Sequence, residues 1–412
     1  MKRKDQTFGF KLLSFISGDK TNIIAIPLIS ILLGLIVSSL ILVGLGVNPA
    51  QTFASFVQGC GFLAKPSYAA GKGMITDILS FLGILAPMLI AALAFVVGMR
   101  ASLFNIGISG QMLAAGFTAY VFVGYSELGS VIAKPLVILV GLVVGGLLGA
   151  FIGLLKSKFN IHEVVSTIII NYIINYVVTF FINSYYADTI TRSMRKCSAA
   201  SRLTVTGIDL NGFDATFPIG IIVALILVVI MKVFLDRTAI GFELRSVGQN
   251  KDCAEYAGIN VNKSIMISMA ISGALAGIAG VTFYLGYYNT IVPNTLSDVG
   301  YDCITVATVG SFTPVGCIIG AILITILQAG STYMSSTIGI AKEVASVITG
   351  IILLFSACGG YITFYATTKK RKILDEIEAA KKAEAKASVE QPAKAAEEDA
   401  DSKTEGEEDT SC

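Results

Sequence analysis

Between His162 and Asn183 the chain reads HEVVSTIIINYIINYVVTFFIN. Within it five polar side chains, Glu163, Thr167, Asn171, Asn175 and Thr179, recur at every fourth residue. On a helix that spacing stacks them along one slowly drifting stripe. A polar stripe on an apolar helix has two uses: it bonds to neighbouring helices, or it lines an aqueous path. Packing is the commoner use, while a stripe running almost the whole helix favours lining. Glu163 sits at the helix start, where a carboxylate answers the helix dipole, and is expected to cap it. A second polar set, Asn105 and Gln111 in SLFNIGISGQ, follows a break at Arg100. Gly107 and Gly110 permit close backbone approach there. These two side chains either contact a polar solute or tie the broken helix together. Asp302, in GYDCITVATVG, is the conspicuous acid of an otherwise apolar stretch.

Other chemistries lack their residues. No G-x-x-x-x-G-K-[ST] phosphate loop is present, so the chain is not expected to hydrolyse ATP. No Ser/His/Asp or Cys/His set is convincingly placed. The seven cysteines form no CxxC pair and the single His162 has no ligand cluster around it, so no metal or other cofactor is expected. Ionisable residues deep in the apolar runs are nearly absent, which weakens a proton or sodium relay. The formal charge of +2 gives no reason to expect a nucleic-acid partner.

The elements that must position these residues are membrane helices. Charged residues make up 14% of the chain and hydrophobic ones 54%, against roughly 25% charged in soluble domains. The apolar runs do not alternate as a membrane β-barrel requires. A crossing helix needs about 20 apolar residues. Candidate spans are Ile23–Val47, Ile78–Met99, Asn105–Gly124, Ile132–Leu155, Glu163–Asn183, Phe217–Leu235, Ser264–Tyr288, Pro314–Met334 and Val344–Thr367. Lys2, Arg3, Lys4, Lys11 and Lys20 before the first span, and KKRK (Lys369–Lys372) after the last, place both termini in the cytoplasm. That requires an even count, so the short stretch Tyr301–Phe312 is read as a tenth, irregular crossing shielded by protein. The expected architecture is an all-α polytopic bundle: a cytoplasmic segment 1–22, a membrane domain 23–368 and a charged, low-complexity cytoplasmic tail 369–412. On this topology Ser184–Thr216 is external, yet it carries Arg192, Arg195, Lys196 and Arg202, against the positive-inside rule.

The longest cytoplasmic loop, DRTAIGFELRSVGQNKDCAEYAGINVNK (Asp236–Lys263), is amphiphilic and punctuated by Gly241, Gly248 and Gly258. Lys251–Tyr256 is expected to form a short helix across the membrane face. Either this is an ordinary connector or a partner docks on it.

Here the residues resemble a known family. GFELRSVGQNKDCAEYAGIN followed by ISMAISGALAGIAG resembles the coupling region of bacterial ABC transporter permeases that import branched-chain amino acids, simple sugars and nucleosides. APMLIAALAFVVGMRASLFNIGISGQMLAAG, KFNIHEVVSTIIINYI and GYDCITVATVG resemble three further motifs, in order, across most of residues 78–350. The forms look most like the nucleoside or simple-sugar branch, with His162 where that branch often has Asn.

The resemblance implies a division of labour. Cytoplasmic ATP-binding subunits would dock on the 236–263 loop, with Glu243, Arg245, Asn250 and Glu255 facing them or bracing it. A second permease subunit would complete the path, and an extracellular binding protein would deliver a small polar solute. Asn105, Gln111, Asn171, Asn175 and Asp302 are the candidate path residues. Asp302 would either meet a sugar hydroxyl or cap a short helix at its N-terminal end. SGALAGIAG (Ser272–Gly280) reads as a small-residue packing surface. The expected function is a multi-pass permease in the bacterial cell membrane, carrying nucleosides or related solutes. The rivals are the same machine for sugars or branched-chain amino acids, and an ion-coupled transporter acting alone.

Overall fold

A computed structural model describes residues 22–44, 46–65, 73–210 and 213–339, with further single residues and short stretches from 347 to 379. The larger of two compact units runs from residue 30 to 357 and holds the break, the cavity and the loop described below. The smaller unit takes in residues 1–29 and 358–412; among its described residues Lys369 lies over the Tyr365 ring.

The elements are mainly helical. Helices α1 (Asn22–Gly44), α2 (Pro49–Gly59) and α3 (Met74–Arg100) come first. Helix α4 (Ile108–Ala119) continues into a π-helical turn, Tyr120–Gly124. Then follow α5 (Ser130–Phe159) and α6 (Glu163–Phe181), the latter ending in a π-helical turn at Ile182–Tyr186. A hairpin of β1 (Thr204–Leu210) and β2 (Phe213–Pro218) precedes α7 (Gly220–Arg237), α8 (Ala239–Gln249) and α9 (Lys251–Tyr256). Last come α10 (Val261–Val281), extended by a π-helical segment Thr282–Tyr288, then α11 (Val299–Val309) and α12 (Gly316–Ile338).

Among the described residues, five helices are long and apolar enough to cross a membrane: Met74–Arg100, Ser130–Phe159, Glu163–Tyr186, Val261–Tyr288 and Gly316–Thr337. Leu32–Gly44, Ile108–Gly124 and Val299–Val309 are shorter apolar helices. Most of Val344–Thr367, and the tail beyond residue 379, lie outside the described residues.

Side-chain placement shows which solvent the fold is built for. On α5 the inward face is mostly small (Ala133, Gly141, Gly145, Gly149, Gly153, with Val137 and Ile152), while Leu139, Leu142, Leu147 and Phe151 point outward. On α6 the polar stripe is buried, and Ile169, Tyr172, Ile173, Tyr176 and Phe180 are exposed. A water-soluble helix would be reversed; small and polar residues inside with large apolar ones outside suits lipid. Helix α3 is apolar on every face because every face is packed: Leu85–Gly98 is buried without interruption. It packs against α10, α11, α7 and α12. Helix α10 lies against α5 along two glycine rows. A methyl group on Gly145 would overlap the Gly273 carbonyl oxygen, and one on Gly277 would overlap that of Gly141. The packing role expected of Ser272–Gly280 is thus met by backbone-to-backbone contact.

Three details depart from the sequence reading. Residue Phe217 belongs to β2, so the helix after it begins at Gly220. The segment Ser184–Thr216 is structured, ending in an antiparallel hairpin that pairs Thr204 with Pro218 and Leu210 with Phe213. Helix α2 was not anticipated; Asn48 caps it by accepting from the Ala50 N–H at 3.0 Å, with Pro49 at the first position.

Candidate functional site

The break between α3 and α4 is built around Asn105. Helix α3 stops at Arg100, and Ser102 takes a left-handed conformation (φ 55°). The Asn105 carboxamide is fully buried. Its Oδ1 accepts from the Gly107 N–H at 2.9 Å, and its Nδ2 donates to Gln111 Oε1 at 3.2 Å and Ser272 Oγ at 2.9 Å. Ser272 in turn donates to the Ala94 carbonyl at 2.7 Å, and Ser268 to that of Val97 at 3.1 Å. Residues Asn105 and Gln111 therefore tie the broken helix to α10.

The α6 stripe serves the same break. Asn171 accepts from the Gly110 N–H through Oδ1 at 2.9 Å and donates to the Ile106 carbonyl through Nδ2 at 3.0 Å. Its one carboxamide thus satisfies a donor and an acceptor that the interrupted helix leaves free. Thr167 packs on Gly107. Farther along, Asn175 Nδ2 meets Asn294 Oδ1 at 3.4 Å, and Thr179 Oγ1 accepts from the Asn294 N–H at 2.7 Å, holding the approach to α11. At the start of the helix the cap is His162, whose Nδ1 accepts from the Val164 N–H at 3.3 Å. Glu163, expected as the cap, is the first residue of the helix and pairs with Lys156 Nζ at 3.0 Å.

Asp302 lies elsewhere, on the wall of a cavity of about 560 Å³. Helix α3 contributes Ser80, Phe81 and Ile84. The π-helical end of α10 contributes Phe283, Tyr287 and Tyr288, whose rings meet edge to face or tilted. Helix α11 adds Tyr301 and Asp302, with Asp298 just before it, and α12 adds Gln328, Ser331 and Thr332; Gly59 of α2 and Gly350 also border the cavity. The size and the mixture of rings with a few polar groups suit a small organic ligand. Asp298 occupies the N-terminal position of α11 but makes no side-chain cap, and Asp302 lies in the first turn, accepting a hydrogen bond from Gln328 Nε2. The capping alternative for Asp302 is thus replaced by a side-chain pair on the cavity wall.

The loop 236–263 folds into two helices. On α8 the buried face is Gly241, Leu244 and Val247. Leu244 packs with Ala101 and Leu103 of the break, and with Ile152, Ile265 and Met269. Gly248 sits against the Arg100 carbonyl, where a side chain would overlap it, and its own carbonyl accepts from Ser102 Oγ at 2.6 Å. Arg100 then donates through Nη2 to the Phe312 carbonyl at 2.9 Å, just past α11. One chain of contacts therefore runs from the loop through Arg100 to the helix carrying Asp298 and Asp302. Helix α9 spans Lys251–Tyr256, as the sequence predicts, with Asn250 Oδ1 accepting from the Cys253 N–H at 3.0 Å as its cap. Tyr256 is 94% exposed, Glu255 is exposed, Glu243 is half-buried, and Arg245 reaches Asp236 at 4.0 Å.

The sequence reading grouped Asn105, Gln111, Asn171, Asn175 and Asp302 as one path. The structure brings the first four to the break and its α6 clamp and sets Asp302 apart with Asp298, Gln328 and the ring cluster. Those partners carry a faint signal: the aromatic run FYLGYYN closing α10.

Residues 77–357 match a family model described as branched-chain amino acid transport system / permease component. The chain is 32% identical over 371 residues to the nucleoside ABC transporter permease protein NupB of Lactococcus lactis, covering 88% of this chain and 98% of the relative. It is 34% identical over 349 residues to the guanosine ABC transporter permease protein NupP of Bacillus subtilis, covering 84% and 97%. It is 23% identical over 336 residues to the glucose ABC transporter permease protein TsgB13 of Haloferax volcanii, covering 80% and 86%. No solved structure matches the chain.

Proposed function

Because the chain belongs to the branched-chain amino acid transport system / permease component family, we propose that it is the membrane subunit of an ATP-driven nucleoside importer. The observation that carries the substrate class is its similarity, over nearly their full lengths, to two permeases named for nucleoside and guanosine transport. The glucose permease relative, at lower identity, supports simple sugars as the second reading.

On this reading the ATP chemistry resides on separate cytoplasmic subunits that dock at α8 and α9. What supports it is the exposed Tyr256 and Glu255 on a short capped helix, backed by the buried face of α8. Asn250 and Arg245 brace the loop rather than meet the partner, and Glu243 stands at the edge. A second permease subunit and a substrate-binding protein complete the assembly. On this reading the bundle crosses the bacterial membrane ten times with both termini inside. The domain division is 1–22, 23–368 and 369–412.

Alternating access needs a link between the docking surface and the path. The Gly248–Arg100–Phe312 chain of contacts is suited to this, because it joins the loop to both the break and α11. Replacing Glu243–Glu255 by a Gly/Ser linker tests the reading. Membrane insertion persists and copurification with the ATPase is lost; undiminished copurification contradicts the assignment.

A further inference from the structure

We propose that the cavity between α3, α10, α11 and α12 is the nucleoside-recognition site, and that its two carboxylates make it accept uncharged nucleosides and reject their phosphate esters. The proposal rests on the importer reading above and adds to it the place and the chemistry of recognition.

The ring cluster supplies the first half of the argument. A nucleobase is a flat π-surface that stacks on aromatic side chains with little regard to its identity. Tyr288 and Tyr301 line the cavity, and both are partly exposed. Phe283 and Tyr287 back Tyr288, with centroid separations of 4.9 Å from it in each case, and hold its orientation.

The polar wall supplies the second half. Gln328 Nε2 donates to Asp302 Oδ2, setting an amide donor beside a carboxylate acceptor. A hydroxyl both donates and accepts, so it can bridge such a couple, donating to Asp302 and accepting from Gln328. A ribose offers two neighbouring hydroxyls, and Ser331 and Thr332 lie on the same wall for a second contact. Among the described lining residues both charges are negative, Asp298 and Asp302. A phosphate brought between them meets like charge in a partly enclosed space, where repulsion exceeds its value in bulk water.

Equilibrium binding of tritiated guanosine to the permease–ATPase complex, without the binding protein, tests this. Competition by guanosine monophosphate and by glucose is measured alongside, and guanosine uptake is measured separately in proteoliposomes with the binding protein added. Guanosine is expected to bind saturably, with the monophosphate at least about a hundredfold weaker. Asp302→Asn is expected to weaken guanosine about tenfold, the loss typical of a hydrogen bond to a charged group. Tyr288→Ala, at a half-exposed position, is expected to weaken it by a similar factor through lost stacking, with guanosine uptake in the proteoliposomes reporting whether the variant is folded. The Asp298→Asn/Asp302→Asn double variant is expected to narrow the gap between guanosine and its monophosphate at least about tenfold. Unchanged guanosine binding in both Asp302→Asn and Tyr288→Ala overturns the cavity assignment. So does absent binding alongside normal uptake, and either result leaves the importer reading intact. Saturable glucose binding with no guanosine binding or uptake overturns both.

Discussion

Asn171→Ala is the sharpest test of how the broken helix is held. The carboxamide makes two hydrogen bonds to backbone, from the Gly110 N–H at 2.9 Å and to the Ile106 carbonyl at 3.0 Å, and the residue is 1% exposed. Between membrane helices such bonds average about 0.6 kcal/mol each. Truncation also leaves two buried backbone groups unpaired, at about 1–3 kcal/mol for each. The helix can recover part of this by relaxing, so the expected loss is about 3 kcal/mol. On the per-residue unfolding entropy of soluble domains, for a unit running from residue 30 to 357, that lowers the unfolding midpoint by about 4 °C. Buried thiols supply the assay. Cys60, Cys197, Cys303 and Cys317 are shielded, and burial pushes the Cys197 thiol up, away from the reactive thiolate. A thiol-reactive fluorophore therefore reports unfolding once Cys253, Cys358 and Cys412 are changed to serine. Ile173→Ala, on the outward face of the same helix (54% exposed), is the control and is expected to shift the midpoint far less. Equal midpoints for the two variants refute the clamp.

Gly145→Ala places a methyl group on the Gly273 carbonyl and is expected to abolish folded protein in size-exclusion profiles, whereas Gly146→Ala, whose added carbon meets its nearest neighbour at 3.4 Å, is expected to be tolerated. Cys253 is exposed on α9; in a chain lacking Cys358 and Cys412, maleimide labelling in inside-out vesicles is expected to fall when the ATPase subunits are bound, and labelling indifferent to them contradicts docking at α9. Arg100→Gln removes the charged donor to Phe312, a bond of about 1.5–3 kcal/mol; solute moved per ATP hydrolysed is expected to drop about tenfold while copurification persists, and an unchanged ratio removes Arg100 from the coupling path.

Much of the architecture is legible in the chain because the bilayer imposes it. Long apolar runs must be helices there, and the four-residue spacing of Thr167, Asn171, Asn175 and Thr179 fixes a single face. The 251–256 helix is legible from Asn250, a good cap, before a short amphiphilic stretch. The function of the stripe is not legible, because lining and packing require the same residue types. Only the positions of Gly110, Ile106 and Asn294, distant in sequence, decide for packing. The cavity is hidden for the same reason: Asp302 and Gln328 come from different helices and meet only through the docking of α11 on α12. His162 displaces Glu163 as cap because the turn begins one residue earlier than the charge pattern suggests.

The most direct test of the central claim is uptake of labelled guanosine into proteoliposomes holding this permease, its ATPase subunits and a binding protein, beside an identical preparation with a hydrolysis-dead ATPase. Uptake that requires hydrolysis and is lost in the dead preparation is the predicted result. Uptake that persists there and falls when the ion gradient is dissipated contradicts the ATP-driven permease.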